Sequence, residues 1–378
     1  MIQPQEIRHT LIDNPGNIKT LPMRTVTLYQ AGENNWRFCH HAEVGVFKGE
    51  IYTMWSNSPT GEDECGQRTL FCKSSDGEHF SAPRVLCENL PGKEYPAVLT
   101  AAGWLDRKDS LAAYFAAYEY ASPAERTDRN GVKRFGSDIC RTRLYCMTSE
   151  DGEKFTPPAD LQVPLCPNIG PQRLHSGRLL ITGNWAHAYT DDPRGEAAWR
   201  MAGFADPAQL PTPVADDPDY FWRVSKILNM PGGMCEGAFY QTDDHVLHML
   251  HRSHTDWLYE SHSLDEGESW SLPAKTNFPN CRSKVQFGRL PDGRFYYIGN
   301  PLPGTGRNPL VLSVSKDGAL FDTHYLLAGP PCERKYQGYA KNGMYAYPHS
   351  VIAGDMLYIV YTVWKEDVRF VAIPLNNL

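Results

Sequence analysis

The sequence predicts an all-β fold assembled from repeated strand–turn–strand units, and three observations carry that reading. Gly (31) and Pro (29) are abundant, aromatics reach 12% and charged residues only 21% of the 378 residues, a turn-rich globular profile. Short alternating segments recur between Gly, Pro and Asp clusters, with little sign of long amphipathic helices. A short Ser-Asp-Gly motif appears four times, and recurrence of this kind marks a repeat architecture.

Taken in chain order, Glu43–Trp55 reads as strand, Lys48-Gly49 turn, strand. The first motif follows at Ser74, Asp76, Gly77 and Phe80. Residues 121–137 form a polar insertion, and a second motif stands at Ser149, Asp151, Gly152 and Phe155. His175–Gly183 enters a strand through a Gly turn, and residues 187–220 read as a long loop rich in Asp and Pro. The fullest motif is Ser263, Asp265, Gly267 and Trp270; the last is Ser315, Asp317, Gly318 and Phe321. Between these two, Leu290–Ile298 carries an Asp-Gly hairpin signal, and His349–Tyr361 closes the series. In each motif, Asp can bond the turn backbone, Gly takes the left-handed position, and the aromatic wedges between sheets. Loops as long as the two inserted ones are expected to overhang a site or to be plain surface.

The charge sum, 37 − 44 = −7, with no run of five Lys or Arg, argues against nucleic acid and anionic membranes as partners. No stretch approaches eighteen apolar residues. The first residues hold no apolar signal core. The ten cysteines form no C-x-x-C pair, which argues against zinc. The expectation is a cytoplasmic chain with free thiols, a trimmed secreted chain being the alternative. No cofactor is expected; a channel cation stays open, with no ligand set to identify it.

The four motifs resemble the Asp-box (BNR) repeats of the sialidase-like β-propellers, and the resemblance runs along nearly the whole chain. It implies a single propeller domain over residues 1–378. Counting inner strands gives six blades, beginning near His41, Tyr95, Gln172, Glu236, Lys284 and His349, with seven as the competing count. Arg24–Tyr29 would complete the last blade. Six blades over 378 residues is about 63 residues each, enough for four strands and loops. In a propeller the first strand of each blade lines the central channel, so His40, His41, Tyr95, Gln172, Arg173, Glu236, Arg282, Lys284, Tyr347 and His349 would share one funnel.

Sialidases bind a sugar carboxylate with three arginines and attack with a tyrosine that a glutamate activates. On this resemblance Glu236 falls at the activating glutamate, Arg252 and Arg307 at two of the arginines, and Tyr345 or Tyr347 at the nucleophile. The planar guanidinium fork suits the carboxylate. The first blade departs from that pattern: His40-His41-Ala42 stands where the first arginine belongs, and Trp55-Ser56-Asn57 where the acid/base aspartate belongs. That blade, with Gln67 and Arg68, is similar to enzymes that split rhamnose–glucuronate linkages with a funnel histidine. A lyase needs a base of near-neutral pKa, which histidine supplies, and tyrosine can be the acid.

The sequence therefore points to a carbohydrate-active enzyme that cleaves a glycosidic bond at or next to an acidic sugar, by hydrolysis or elimination. Its expected catalytic residues are His41, Glu236, Tyr345, Tyr347 and His349. Its expected substrate contacts are His40, Gln67, Arg68, Arg173, Trp185, Arg252, His254, Arg282, Lys284 and Arg307. The expected partner is an acidic oligosaccharide. A non-catalytic glycan-binding propeller and a protein-binding scaffold are the competing classes.

Overall fold

The main strands are buried almost continuously, on both faces, rather than at alternating positions, and left-handed turn residues end them. Lys48 and Gly49, with φ of 50° and 82°, turn Phe38–Phe47 back onto Glu50–Ser58, a two-residue turn whose twist matches that of the strands. The computed structural model describes residues 6–184, 186–204 and 234–378.

Among the described residues all the larger elements are strands, and consecutive strands within a sheet pair antiparallel. The first sheet runs Phe38–Phe47, Glu50–Ser58, Arg68–Ser74 and Arg84–Cys87. The second runs Val98–Asp106, Leu111–Ser122, Ser137–Ser149 and Ala159–Asp160. The third runs Pro167–Arg173, Leu179–Gly183, His187–Thr190 and Arg200–Phe204, with Ser269–Trp270 added in parallel outside. A ten-stranded sheet follows. In it the strands from Cys235–Gln241 to Ala274–Pro279 and those from Gln286–Arg289 to Leu320–Ala328 are joined through Arg8–His9, parallel to both neighbours. The last sheet pairs Tyr345–Ala353, Met356–Val363 and Asp367–Pro374 with Arg24–Gln30 from near the other end of the chain, as expected for Arg24–Tyr29.

Successive sheets face one another across apolar layers. Met54 and Phe71 of the first sheet meet Leu99 and Phe115 of the second. Ala102 and Leu144 meet Leu179 and Ile181, and Leu180 meets Leu247 and Met249. One further layer joins Val44 and Trp55 of the first sheet to Val360 and Phe370 of the last. The result is a propeller-like ring. Each fully buried large side chain contributes roughly 1.5–3 kcal/mol, so the ring is held by many layers of equal kind.

The four Ser-Asp-Gly turns share one geometry. Asp76, Asp151 and Asp317 each accept two backbone N–H groups and the hydroxyl of the Ser two residues earlier. Asp265 accepts the Ser269 N–H at 2.9 Å and the Ser263 hydroxyl at 2.8 Å. Gly152, with φ of 70°, also lies so close to Tyr52 that a Cβ would stand 1.9 Å from its hydroxyl. The turn aromatics Trp270 and Phe321 are buried.

The two expected insertions differ. Residues 121–137 extend the longest hairpin and fold into a small ribbon, Arg126–Thr127 against Lys133–Arg134. Residues 187–220 do not begin as a loop. His187–Thr190 is a buried strand and Arg200–Phe204 pairs with it, because His-Ala-Tyr-Thr packs between sheets despite the polar stretch that follows. Residues 205–220 lie outside the described residues.

Candidate active site at the inner strands

Three inner strands carry the same local distortion. Register shifts fall between His40 and Glu43, between Cys235 and Gly237, and between Ala346 and His349. In each bulge one non-glycine residue is left-handed: His41 (φ 52°), Glu236 (φ 50°) and Tyr347 (φ 55°). An L-residue there gives up roughly 1–2 kcal/mol. A bulge re-aims a side chain that a regular strand would place elsewhere. Here it turns three ionisable groups from three sheets toward each other.

Their contact is direct. The Tyr347 hydroxyl donates to Glu236 Oε1. Arg252 Nη1 donates to Glu236 Oε2 at 2.6 Å and to the Tyr347 oxygen at 2.7 Å. The Arg307 guanidinium lies 5.3 Å over the Tyr347 ring, and the rings of His40 and His41 stand 4.0 and 5.4 Å from it. Burial disfavours the Glu236 carboxylate, but the charge and hydrogen bond of Arg252, the Tyr347 hydroxyl and Arg307 outweigh it, so its pKa falls below the usual value. Burial pushes the Tyr347 phenol well above its ordinary value. The resting state is a neutral phenol bonded to a carboxylate.

Two cavities flank this cluster. One, of about 320 Å³, is lined by His41, Glu236 and Tyr347 together with Asp63, Tyr118 and Arg134. The other, of about 290 Å³, is lined by Arg129, Arg252, His254, Arg282 and Arg307. A larger groove of about 570 Å³ lies by two of the Asp turns, beside Leu264 and Asp317, and holds none of these groups.

Across the first cavity Asp63 accepts the Tyr118 hydroxyl at 2.5 Å. Its backbone N–H is held by Gln67 Oε1 at 3.1 Å. Burial, with neighbouring Glu62, raises the Asp63 pKa. The cavity thus sets a carboxyl inclined to keep its proton against one inclined to lose it, the pattern that assigns acid and base. Sequence reasoning missed Asp63 because it sits on a loop. It also missed Arg126, Arg129 and Arg134, which the insertion brings to the cavities; only the insertion's polarity hinted at them.

Burial first, then the charges of Lys365 and Lys284, lowers the His41 imidazole to about 3, so it is neutral at any ordinary pH. His40 is fully buried, with Nδ1 3.0 Å from Thr362 Oγ1. His40, His41 and Glu62 offer ligand atoms within 4.8 Å of one another, a set that could hold a metal ion. The Lys365 ammonium, 2.6 Å from Glu62, supplies positive charge at that place.

Several expected site residues lie elsewhere. Tyr345 donates to the Pro330 carbonyl at 2.6 Å and belongs to an apolar layer, because the bulge after Ala346 separates it from Tyr347. His349 and Lys284 line neither cavity. Lys284 Nζ lies 2.5 Å from Glu43 Oε1, His349 Nε2 is 3.2 Å from Glu43 Oε2, and His349 Nδ1 accepts the Val44 N–H. Both His349 nitrogens are thus turned to Glu43 and Val44, and burial, then Lys284, drives its pKa well down. Arg173 ends its strand rather than starting it, and bonds the Gly177 and Pro193 carbonyls. Arg68 stacks 3.8 Å over Trp36 on the outer side. Gln67 is buried and positions Asp63 instead of facing a ligand. Trp185 lies outside the described residues. His41, Glu236, Tyr347, Arg252, His254, Arg282 and Arg307 are brought together.

Among solved structures, a sialidase superposes with a TM-score of 0.65 at 17% identity, covering 98% of this chain and 35% of that one. This chain therefore spans about a third of that protein's length. A Dyadobacter fermentans protein of unknown function has a TM-score of 0.62 at 14% identity, covering 93% and 99% of the two chains. The intramolecular trans-sialidase of Ruminococcus gnavus, in complex with oseltamivir carboxylate, has a TM-score of 0.62 at 12% identity, covering 93% and 98%. These likenesses establish the shared fold. No curated protein sequence matches the chain. Residues 131–359 match the family model of the BNR repeat-like domain, and with more than half of its length so matched, the chain belongs to that family.

Proposed function

We propose that this protein is a glycosidase acting at or next to an acidic sugar. The observation that carries the reading is the Tyr347–Glu236–Arg252 cluster, a neutral nucleophile bonded to its base and flanked by two cavities. Related folds include sialidases, one of them bound to oseltamivir carboxylate, which supports an anionic sugar. Arg252 and Arg307 hold the sugar's carboxylate, since both line the basic cavity and a guanidinium pairs with it through two N–H groups.

In the bond-breaking step the Tyr347 oxygen attacks the anomeric carbon, and its proton passes to Glu236 Oε1. The bond from that carbon to the leaving oxygen breaks, and Asp63 gives its proton to that oxygen. Water then attacks the glycosyl-tyrosine; Asp63 takes the water's proton and Glu236 returns its own to the phenol. Elimination is the weaker reading, because a histidine with pKa near 3 is a poor base for a carbon acid.

The same proposal takes the Ser-Asp-Gly turns as Asp boxes and divides the ten-stranded sheet at Arg8–His9, giving six blades. The test is a panel of aryl glycosides of acidic sugars and acidic oligosaccharides, read by released phenol, reducing ends and unsaturated-uronate absorbance. Hydrolysis releases phenol or reducing ends without the unsaturated product. A fluorinated acidic glycoside should leave its sugar on Tyr347 by mass spectrometry. Unsaturated product, or a label on another residue, would overturn the mechanism; binding without turnover would leave a glycan-binding protein.

A further inference from the structure

The basic cavity carries more positive charge than one carboxylate can use. Arg129, Arg252, Arg282 and Arg307 line it together with His254, and no Asp or Glu is among its described lining residues. Only Arg252 has a carboxylate partner among the described residues, Glu236. Arg252 Nε, Arg282 Nε and Arg307 Nη1 are buried without a hydrogen-bond partner among those residues, and Arg307 as a whole is 5% exposed. Unpaired buried donors are costly, and like charges crowded in a small space add repulsion. Such an arrangement persists where a ligand supplies the missing charge.

Arg129 comes from the 121–137 insertion, and its position is built. Asp128 Oδ2 accepts the Ala340 N–H at 2.8 Å, docking the insertion on the facing loop, while Asp128 Oδ1 accepts the N–H groups of Asn130 and Val132. The insertion's backbone is thereby fixed at the residue next to Arg129, at the cavity mouth. This is a local concentration of cations on a chain whose net charge is −7.

We propose that the cavity reads a sugar with two anionic groups, a carboxylate at Arg252 and Arg307 and a sulfate ester at Arg282 and Arg129. The inference rests on the acidic-sugar reading above and narrows its substrate class to sulfated acidic glycans. A single carboxylate has two oxygens with about four lone-pair directions, which two guanidinium forks fill and three arginines can share, so four arginines exceed what it can use. The remaining arginines need a second oxyanion. A sulfate's oxygens, spread over a tetrahedron, can meet donors arriving from two separate loops.

The test is calorimetric titration with one glucuronate-containing disaccharide in unsulfated and monosulfated forms. The wild-type protein should bind the sulfated form at least about tenfold more tightly. In Arg129→Gln, on an exposed loop where folding is not at risk, and in Arg282→Gln, the ratio of the two affinities should collapse toward one while the melting temperature holds. Equal affinity for the two forms in the wild type would overturn the inference and leave the acidic-sugar reading intact. An unchanged ratio in both variants would do the same. Failure of both disaccharides to bind would remove the two readings together.

Discussion

Two buried clusters of ionisable groups gather around the inner strands, and they differ in one respect. Glu236, Arg252 and Tyr347 face cavities, and the arginine keeps an unpaired buried Nε. Glu43 of the first sheet, His349 of the last and Lys284, just before the strand Gln286–Arg289, close on themselves. Glu43 and Lys284 are wholly buried. Both clusters hold a carboxylate, a cation and an aromatic acid–base group, so residue type does not separate them; access does. Burial dominates Glu43 and raises its pKa to about 8 even against Lys284. At Glu236 the surrounding donors prevail over burial and lower it. One cluster is read as chemistry and the other as a strut across the ring.

The sharpest way to break this comparison is to remove the proposed nucleophile. Tyr347→Phe should lower turnover on an acidic aryl glycoside by roughly a thousandfold or more, with the thermal transition nearly unchanged. A variant that keeps its activity would dissolve the distinction. Asp63→Asn should cost about 10²–10⁴-fold in kcat/KM and flatten the alkaline limb of the pH–rate profile. Persistence of that limb would assign the acid to another group.

Lys284→Met attacks the strut. Near pH 7 Glu43, with a pKa of about 8, keeps its proton, so the variant loses the Lys284 hydrogen bond to a buried carboxyl. That should cost about 1–3 kcal/mol of stability, seen as a lower urea midpoint, with no change in pH–rate shape. If stability holds and only activity falls, the strut belongs to the site after all.

A broader pH effect follows from the buried imidazoles. Burial is the leading cause that lowers His9, His41 and His251 to about 3, and it takes His40 and His349 well below their ordinary value. Their unfolded pKa is about 6.5, so the unfolded chain binds more protons than the folded one between these values. Stability should be full above pH 6.5 and fall steadily as pH drops below it. Urea midpoints that are flat from pH 7 to 5 would contradict this. The smallest effect is expected at a turn: Asp265→Ala removes hydrogen bonds worth roughly 0.5–1.5 kcal/mol each and should lower the melting temperature without touching kcat.

The Ser-Asp-Gly turns were legible in the sequence because their chemistry is contiguous: Ser263, Asp265 and Gly267 meet each other within five residues. The site was half legible. In a regular strand Tyr345 and Tyr347 would share a face, and no pattern in the sequence marks the bulge that sends one to the apolar layer and the other to Glu236. The same distortion lets both His40 and His41 touch Tyr347, where alternation alone would part them. Arg173 was misplaced by a different error, since its strand starts six residues earlier, at Pro167. Asp63 and Arg129 reach the cavities on loops, whose direction only tertiary contacts set.

The pairing of Arg24–Gln30 with Asp367–Pro374 has a consequence for biosynthesis. Arg24–Gln30 is made long before its partner and must wait, unpartnered, until Asp367–Pro374 has left the ribosome. Until then its N–H and C=O edge is exposed, and so is the Asp367–Pro374 edge as soon as it emerges. Each nascent chain thus passes through an open-ring stage in which a neighbour's early strand can fill the vacant position. Dense polysomes, or slow translation of the stretch between the two strands, would favour strand exchange between chains over closure within one.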